Sequence, residues 1–365
     1  MTARHEEAST RPELRSFRSE QARQLEALLS DLPGLYPDAP EWLRKRCAEK
    51  EGITIAWADA QAVGAVILTV DDDNRMKIST LFVAPGFRRQ GLGRELLTHA
   101  VTEFLSGSGS DLYITADESV SSQLFPLLQT YGFDIEERLS NRYRPGASEM
   151  VFAADRDAVL AAISAHNHHV YQQLADEYEQ RTEALHDVTV AAVDGLTKFL
   201  PPQAELLDVG CGTGLATRLL LDRGYKMTAI EYSENMVAHA RRRNPEAEII
   251  NGDYLATDLP RFQGMIALAF IHLFPRRQAN EVLARMHSQL QPGGVLYTGT
   301  TDNQQSSEGL VLKADYSRPL PRWRRHWTRE ELEQAFSEAG FEILEAFPHS
   351  DPFGKKWLDY ALLRP

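Results

Sequence analysis

Two glycine-rich turns constrain what this chain can fold into more than any other feature of its sequence. The first spans Arg88–Gly93 and the second spans Asp208–Gly214, and each lies between an apolar, strand-like run and a helix-like one. Glycine at such a turn lets a ligand approach the backbone N–H groups at the start of a helix, where phosphates and other anions bind. Because the residues around the two turns differ, the sequence predicts two unlike nucleotide-type cofactor sites in two modules fused end to end.

The length and the charge of the chain narrow the class of partner. Its 365 residues are enough for two domains. The formal net charge is −13, and both parts are acidic: residues 1–155 carry 24 acidic and 17 basic side chains, and the remainder carries 28 and 22. A nucleic-acid backbone demands clustered lysine and arginine. We therefore expect no nucleic-acid partner and a small-molecule substrate, while the oligomeric state stays open.

Cysteine usage and hydropathy predict where the protein works. Only Cys47 and Cys211 are present, which suits a reducing compartment without disulfides. Residues Met1–Arg18 are polar and contain no signal-peptide core. The longest apolar stretches, Ala62–Val70 and Met265–Phe274, are too short to span a bilayer. We expect a cytoplasmic protein that does not interact with a membrane.

The apolar pattern predicts a different architecture for each half. Residues 12–154 combine strand-like runs with helices such as Leu92–Phe104, which is typical of an α+β fold with a mixed sheet. From Glu205 to Leu363 strands and helices alternate, the pattern of a doubly wound α/β sheet with helices on both faces. We predict domains at residues 12–154 and 155–365, the second beginning with a helical extension over 155–200.

The surroundings of the first turn resemble a known family. Leu81–Arg94 is similar to the central motif of the GNAT N-acetyltransferases, and Tyr131–Phe133 resembles their later Gly-Phe element. The resemblance covers about residues 12–154 and implies a GNAT-like mixed sheet that transfers an acyl group from acetyl-CoA, or another acyl-CoA, to an amine. It also implies that the turn cradles the coenzyme A pyrophosphate while strand Leu81–Val83 pairs with the pantetheine arm. The implied cofactor-binding residues are Leu81, Phe82, Val83, Arg88, Arg89, Gln90, Gly91, Leu92, Gly93 and Arg94.

One departure from that family leaves turnover open. Members commonly carry a tyrosine as general acid four residues before the glycine of the Gly-Phe element, and here Leu128 stands at that position. Tyr131 is near in sequence, but its place on a helix would direct it elsewhere. Glu95, Asp117 and Glu118 are candidate general bases, but for each of them the sequence favours a solvated carboxylate. The alternative function for this half is therefore a non-catalytic module that binds acyl-CoA or regulates.

The second turn carries a stronger set of motifs. Glu231 lies 21 residues after Gly210, near the end of the next strand-like run, the offset at which an acid reaches both hydroxyls of a ribose. Together with Asp253, Leu290–Gly294 and Thr328–Phe341, the turn resembles the class I S-adenosylmethionine-dependent methyltransferases over about residues 160–365. The resemblance implies a Rossmann-like, doubly wound, seven-stranded sheet. A dinucleotide-dependent dehydrogenase shares the fold logic but not these later elements.

The methyltransferase resemblance assigns roles to particular residues. Asp208 and the loop of Gly210, Cys211, Gly212 and Gly214 would hold the methionine portion of S-adenosylmethionine. Glu231 would bind the ribose and Asp253 the adenine amino group. Tyr232, Met236 and Tyr254 would pack near the base, and Tyr178 and Arg181 would meet the cofactor carboxylate. For the last two, simple packing and solvation of a helix is an equal alternative.

The acceptor side of this second half gives fewer signals. His272 follows the fourth strand-like run and is the candidate general base, although a core or gating residue fits the pattern as well. The proline-rich element of base amino-methyltransferases is absent at Ala269–His272, which favours a small-molecule acceptor. The histidines of His166–His169 lack the spacing and partners of a metal site, so we expect no metal. The basic and aromatic run Arg318–Trp327 is either an acceptor site for a carboxylate or phosphate or an ordinary basic surface strip.

The sequence thus leads to one leading functional hypothesis and to alternatives for each domain. The leading one is a bifunctional enzyme that modifies small molecules, with S-adenosylmethionine-dependent methyl transfer in the C-terminal domain and acyl-CoA-dependent N-acyl transfer in the N-terminal domain. We expect the small-molecule substrate to bear an amine or a carboxylate. In the rival readings the N-terminal domain only binds acyl-CoA, or the sulfonium serves a different alkyl transfer or an internal cyclisation.

Overall fold

A computed structural model describes residues 12–30, 36, 38–142, 145–313 and 316–365. The described chain divides into two compact units between Ile163 and Ser164. The division falls within helix α5 (Arg156–Gln180), C-terminal to the domain junction placed at residues 154–155 from the sequence. Of the polar N-terminal segment, residues 1–11 lie outside the described part of the chain.

The first unit is built on a mixed β-sheet. Within its described residues the strands are β1 (Glu13–Ser16), β2 (Ile53–Ala58), β3 (Gln61–Val70), β4 (Met76–Val83), β5 (Asp111–Asp117), β6 (Asp134–Ser140) and β7 (Ser148–Asp155). Their order across the sheet is β1-β2-β3-β4-β5-β7-β6. All neighbours are antiparallel except β4 and β5, which run parallel. Strands β2 and β3 are almost wholly apolar because both of their faces are buried.

Helices cover this sheet. The α-helices described in the first unit are α1 (Ala22–Leu28), α2 (Ala39–Glu49), α3 (Leu92–Ser106) and α4 (Glu118–Gln129). Helix α3 begins directly after Gly91, and its apolar residues recur at helical spacing, so that one stripe is buried. The buried residues of that stripe are Leu92, Leu96, Leu97, Ala100, Val101, Phe104 and Leu105. Helix α4 is capped by Asp117, whose carboxylate accepts a hydrogen bond from Ser119 N at 2.9 Å.

Strands β4 and β5 separate soon after they meet. They pair only over Met76–Ile78, opposite Leu112–Ile114, and their described residues form no further ladder pairs beyond that point. On its other side β4 stays paired with β3 as far as Val83. The carboxyl-terminal part of β4 therefore presents an edge inside the sheet, beside the start of helix α3.

The second unit is built on a doubly wound sheet. The strands among its described residues are β8 (Glu205–Val209), β9 (Lys226–Glu231), β10 (Glu248–Asn251), β11 (Phe262–Leu268), β12 (Leu290–Thr301), β13 (Ser307–Lys313), β14 (Leu320–His326), β15 (Glu342–Ser350) and β16 (Lys356–Leu363). The main sheet has the order β10-β9-β8-β11-β12-β16-β15. Strands β8 to β12 are parallel, and β16 lies antiparallel to both of its neighbours.

Helices pack on both faces of this sheet. Besides α5, those described in the second unit are α6 (His186–Thr197), α7 (Leu215–Asp222), α8 (Glu234–Arg243), α9 (Arg276–Gln289) and α10 (Arg329–Glu338). Side chains of β11 alternate between two cores: Met265 and Ala267 join α9 and α10, and Ile266 joins α6 and α7. The carboxyl ends of β8, β9, β10 and β11 therefore meet at one edge, where such folds bind ligands.

Strands β13 and β14 form a separate antiparallel hairpin. This hairpin was not predicted from the sequence. The predicted fold class is otherwise confirmed: a mixed sheet with helices comes first, and a seven-stranded doubly wound sheet follows. Among the described residues, no helix is long and apolar enough to cross a membrane.

Candidate functional site

The second glycine turn has a backbone that requires glycine. Gly210, Gly212 and Gly214 have φ values of 67°, 55° and 79°. A Cβ on Gly210 would lie 2.6 Å from the Phe270 ring, and one on Gly214 would lie 2.5 Å from Asn244 Nδ2. A Cβ on Gly212, in contrast, would meet only Met236 Sδ, at 3.8 Å. The turn is thus packed from behind and open at its middle residue, as a ligand cradle must be.

Glu231 at the end of β9 ties the turn to the next strand. Its carboxylate accepts hydrogen bonds from Gly212 N at 3.1 Å and from Ser233 N at 2.8 Å. Burial raises the pKa of this carboxyl, and the backbone N–H groups oppose that rise. The loop after β10 is held to the same place, because Asn251 Nδ2 donates to the carbonyl oxygens of Glu231 and Tyr232.

Asp208 lies beneath the turn, on β8. It is 3% exposed, and its carboxylate accepts a hydrogen bond from Thr217 Oγ1 at 2.6 Å. Burial raises the pKa of Asp208 to about 7; the Thr217 hydroxyl opposes this rise, and the charge of Glu231 adds to it. Cys211 is also buried, and burial raises the pKa of its thiol well above the ordinary value, so that the side chain is a neutral part of the turn.

The residues expected near an adenine base divide into two groups. Asp253 follows β10 and holds its loop by accepting a hydrogen bond from Leu255 N at 2.9 Å. Tyr232 is 43% exposed and its ring stacks on His168 at 4.3 Å, and Met236 lies beside the turn. Tyr254 is not brought to this group. It is 4% exposed within the core, where its hydroxyl donates to Gln289 Oε1 at 2.6 Å, because the side chain after Asp253 turns inward.

The end of helix α5 contacts the glycine turn. Thr182 Oγ1 lies 3.3 Å from Thr213 Oγ1, and Arg243 donates to Thr213 and to Glu179. Tyr178 and Arg181, the two residues predicted to meet the cofactor carboxylate, face an aromatic cluster instead. Tyr178 stacks on Tyr316 at 4.9 Å, and the Arg181 guanidinium lies 3.7 Å over the ring of Tyr316.

His272 is buried in the turn after β11, with 1% of its surface exposed. Its Nδ1 lies 3.0 Å from Thr300 Oγ1 and its Nε2 lies 3.3 Å from Arg324 Nη1. A guanidinium can only donate, so Nε2 accepts and the proton sits on Nδ1. Burial lowers the pKa of His272 well below its usual range, and Arg324, Arg322 and Lys313 lower it further. The ring is therefore neutral and its free electron pair is engaged.

The basic run before helix α10 forms strand β14 and is largely buried. Arg322, Arg324 and Arg325 are 5%, 9% and 4% exposed, and Trp323 and Trp327 are 0% and 1% exposed. The reading of this run as an ordinary surface strip is therefore wrong for the strand, because the hairpin folds it inward. Of the arginines in the run, Arg318 is the exposed one.

The first glycine turn is exposed and held by its own side chains. Arg88 Nε donates to Val83 O at 2.9 Å, and Gln90 Nε2 donates to Gly86 O at 3.0 Å. Gly91 has a φ of 92°, and a Cβ there would meet nothing within 4 Å. The other predicted contact residues follow in place: Arg89 and Arg94 are exposed, Leu92 and Gly93 form the first turn of α3, and Leu81, Phe82 and Val83 form the end of β4.

Neither Leu128, at the position where the family commonly carries tyrosine, nor the nearby Tyr131 supplies an exposed acid. Leu128 and Tyr131 are both 0% exposed. The Tyr131 hydroxyl shares a hydrogen bond with Thr98 Oγ1, and burial raises the pKa of that phenol. The predicted direction of Tyr131 away from a solvent-facing site therefore agrees with its place in the core.

The candidate carboxylates of the first unit are not all solvated. Glu118 is exposed and pairs with Arg138 at 2.8 Å, as a solvated residue does. Asp117 is only 6% exposed, and it lies opposite Glu149 of β7, which is 1% exposed. Tyr36 donates a hydrogen bond to Glu149 Oε2 at 3.4 Å. Sequence reasoning missed Glu149 and Tyr36, because their separation along the chain hides the contact.

The strand order, the glycine turns and the parting of β4 from β5 define a protein of two compact units, the second of which has a Rossmann-like fold. Comparison with protein families agrees: a model described as the acetyltransferase (GNAT) family matches residues 22–133, and one described as a methyltransferase domain matches residues 166–346. The chain thus contains a domain of the GNAT acetyltransferase family followed by a methyltransferase domain. Both family resemblances read from the sequence are confirmed.

Several characterised proteins resemble parts of the chain. The dTDP-3-amino-3,6-dideoxy-alpha-D-glucopyranose N,N-dimethyltransferase of Streptomyces fradiae is 36% identical over 99 residues, which are 26% of this chain and 39% of that protein. The trans-aconitate 2-methyltransferase of Variovorax paradoxus is 33% identical over 120 residues, 32% and 45% of the two chains. The chain thus spans less than half the length of either relative. A solved glycopeptide N-methyltransferase with bound S-adenosyl-L-methionine covers 48% of this chain and 94% of its own, at 19% identity and a TM-score of 0.40.

Proposed function

We propose that the second unit transfers a methyl group from S-adenosylmethionine to a small-molecule acceptor. The observation that carries the proposal is the hydrogen bond from Gly212 N to the Glu231 carboxylate, which joins the open glycine turn to the acid at the next strand end. A carboxylate fixed beside exposed backbone N–H groups at this edge of the sheet suits a nucleoside with a charged tail. S-adenosylmethionine, when bound, supplies a methyl group on a positively charged sulfonium.

Each element of the site has a separate task in this proposal. Asp208 and the glycine turn receive the amino-acid tail, and the ionised form of Asp208 is the one that suits a cation. Glu231 exchanges its backbone partners for ribose hydroxyls, and Asp253 meets the adenine amino group. Tyr232 and Met236 pack against the base. Methyl transfer is a displacement in which positioning supplies most of the acceleration, so rigid placement of these residues is their catalytic contribution.

In this proposal the methyl acceptor is a small molecule rather than a nucleic acid. The two relatives named above act, by their names, on a nucleotide-linked amino sugar and on trans-aconitate. The arginines of β14 are buried, so this strand offers no exposed basic strip. The charge of the whole chain, −13, works against a polyanionic partner as well.

Titration calorimetry of the full chain with S-adenosylmethionine tests the cofactor assignment. We expect Glu231→Gln to weaken binding by about 10- to 100-fold, since hydrogen bonds to a charged group are worth about 1.5–3 kcal/mol. Glu248→Gln, at the exposed opposite end of the neighbouring strand, is the control and leaves the affinity unchanged. A wild-type chain that does not bind S-adenosylmethionine would refute the proposal. Mass spectrometry of the product then separates methylation from another alkyl transfer or a cyclisation.

For the first unit we propose acyl-CoA binding, with acyl transfer to an amine as the associated reaction. The parting of β4 and β5 favours it, because the free edge of β4 lies beside the turn Arg88–Gly93 and gives an extended pantetheine arm a strand to pair with. The exposed Arg89 and Arg94 then lie near the pyrophosphate. With Leu128 and Tyr131 in the core, protonation of the leaving thiolate falls to another group or to water.

Two measurements separate turnover from binding alone. We expect coenzyme A to bind the full chain in titration calorimetry, and we expect replacement of both Arg89 and Arg94 by glutamine to weaken that binding by about tenfold or more. Arg138→Gln, in the same unit but paired with Glu118, serves as the control. Release of free thiol from acetyl-CoA across a panel of amines establishes acyl transfer. Binding without release on any amine would instead support the acyl-CoA-binding module.

A further inference from the structure

Two pairs of like residues on helix α5, His168 with His169 and Gln172 with Gln173, each have one member that contacts the protein and one that faces solvent. His168 and Gln172 lie one helical turn apart on the same face of α5, and His169 and Gln173 share the next face. The outer two are exposed, and Gln173 Nε2 donates to His169 Nε2 at 2.7 Å. The inner two are half-buried and contact the segment that follows β9.

His168 stacks on the ring of Tyr232. The ring centres lie 4.3 Å apart, and the two planes differ by 30°. Such a pair of rings is stabilised beyond the area that it buries. Tyr232 directly follows Glu231 at the end of β9, and 43% of its surface is still exposed. The contact with His168 therefore fixes a ring that presents its remaining surface to a ligand.

Gln172 holds the residues at the start of helix α8. Its Oε1 accepts hydrogen bonds from Ser233 Oγ at 2.8 Å and from Asn235 N at 3.2 Å. A backbone N–H can only donate, and this fixes the orientation of the Gln172 amide. Ser233 is buried, and its Oγ in turn accepts a hydrogen bond from Met236 N at 3.3 Å. Gln172 is thus connected to Met236 through one side chain.

Tyr232 and Met236 are the two residues proposed to pack against the adenine base. Met236 lies at the open side of the glycine turn, because its Sδ is the atom that a Cβ on Gly212 would meet at 3.8 Å. On the side of the sheet, Asn251 Nδ2 donates to the carbonyl oxygen of Tyr232 at 3.0 Å. The segment from Tyr232 to Met236 is therefore held by the sheet on one side and by α5 on the other.

Fixing these side chains in advance favours binding. A side chain that is free in the empty site loses rotamer freedom when a ligand orders it, and this loss is subtracted from the affinity. His168 and Gln172 remove part of that loss, since each restrains one of the two residues that would meet the base.

We propose that His168 and Gln172 are positioning residues for the base of the cofactor: His168 acts through Tyr232, and Gln172 acts through Ser233 and Met236. The inference rests on the proposed S-adenosylmethionine site and adds residues to it. It also gives a function to one histidine of the run His166–His169, for which the sequence predicted only that it binds no metal.

A double-mutant cycle tests the connection from His168 to Tyr232. In titration calorimetry of the full chain with S-adenosylhomocysteine, we expect His168→Ala to weaken binding by about 3- to 10-fold, as the loss of one aromatic pair predicts. Tyr232→Ala should weaken binding at least as much. If His168 acts through Tyr232, the double variant binds no more weakly than Tyr232→Ala alone. Additive losses would overturn this connection, because they would show that the two side chains act independently.

Conservative and matched variants separate positioning from a general effect on the fold. His168→Phe keeps a ring over Tyr232 and is expected to bind S-adenosylhomocysteine within about twofold of the wild type. His169→Ala, one residue further along on the exposed face, is the control and leaves the affinity unchanged. Circular dichroism confirms that each variant folds. A His168→Phe variant that folds and binds as weakly as His168→Ala would argue against a stacking role.

Gln172 is tested in the same way. Gln172→Leu removes the acceptor of Ser233 and Asn235 and is expected to weaken S-adenosylhomocysteine binding by about 3- to 10-fold. Gln172→Glu keeps an acceptor for both donors and should stay within about threefold of the wild type. The matched control is Gln173→Leu, on the exposed face. Equal affinities in Gln172→Leu and Gln173→Leu would refute the role of Gln172.

The wild type separates this inference from the proposed function. If S-adenosylhomocysteine does not bind the wild-type chain, the proposed function fails first. If it binds the wild type, His168→Ala and Gln172→Leu with equal affinity, the inference is overturned and the proposed function stands.

Discussion

Gly210 offers the sharpest test of how the cofactor turn is built. Substitution Gly210→Ala places a methyl group 2.6 Å from the Phe270 ring, in a backbone conformation with φ of 67°. Phe270 cannot yield freely, because its ring meets Phe274 at 5.0 Å and Tyr254 at 6.0 Å between ring centres. Either the ring group or the turn must therefore shift.

The size of the effect follows from separating two costs. A left-handed conformation costs a non-glycine residue about 1–2 kcal/mol wherever it occurs. Overpacking against a held ring adds about 1–3 kcal/mol. If the turn relaxes away from Phe270, binding of the cofactor must return the turn to its original geometry. The cost of overpacking against Phe270 then lowers the binding free energy. At about 1.4 kcal/mol per factor of ten, the affinity for S-adenosylmethionine falls by about 5- to 150-fold.

Gly224→Ala is the matched control, since it carries the cost of the left-handed backbone conformation but not the cost of overpacking. Its φ is 84°, and a Cβ there would meet nothing within 4 Å. We expect this variant to bind S-adenosylmethionine as the wild type does in titration calorimetry, with circular dichroism confirming that both variants fold. Equal affinities in Gly210→Ala and Gly224→Ala would refute the reasoning, because they would show that contact with Phe270 does not set the turn.

Three further predictions concern protonation, the first unit and a buried ion pair. S-adenosylmethionine affinity should fall as the pH drops through the Asp208 pKa of about 7, because the protonated carboxyl no longer attracts a cation; Thr217→Val removes the opposing hydrogen bond and should move the midpoint upward. Calorimetry from about pH 6 to about pH 9 measures both, and a flat profile would contradict them. Tyr131→Phe should cost about 1 kcal/mol of unfolding free energy in urea and leave coenzyme A affinity unchanged; a loss of affinity would place this hydroxyl in the site. Arg325→Met should lower the free energy of unfolding by about 3–5 kcal/mol, because it leaves the buried Glu308 without its partner. Arg218→Met, which removes a more exposed pair, should lower it by less than about 1 kcal/mol. Equal losses for the two variants in urea unfolding would argue against a stabilising buried pair.

The sequence was sufficient where local pattern and glycine chemistry determine the structure. The turn at Gly210–Gly214 and its distance from Glu231 predicted a strand, a turn, a helix and an acid at the next strand end, and these are found. Few residue types other than glycine adopt a positive φ readily, so glycines at that spacing predict the conformation of the turn. The two sheets followed from the alternation of apolar runs in the same way.

The sequence was insufficient where burial depends on partners far along the chain. Arginine is seldom buried, so the sequence left the charged run of β14 open between an acceptor site and a surface strip, and only its hairpin partner and His272 show that it is buried. Tyr254 follows Asp253 directly, and only the packing of the core decides which of the two faces inward. The contact of Tyr36 with Glu149 joins residues 113 positions apart. Periodicity carries no information over such a distance.

The early parting of β4 and β5 has a consequence for the solubility of the first unit. An unpaired strand edge is a template on which another extended chain can add, and proteins usually shield such edges by covering or charging them. Here the edge after Ile78 lies between two strands rather than at a border of the sheet. A pantetheine arm that pairs with it would act as a substitute strand, and bound acyl-coenzyme A or coenzyme A would then shield this edge from self-association.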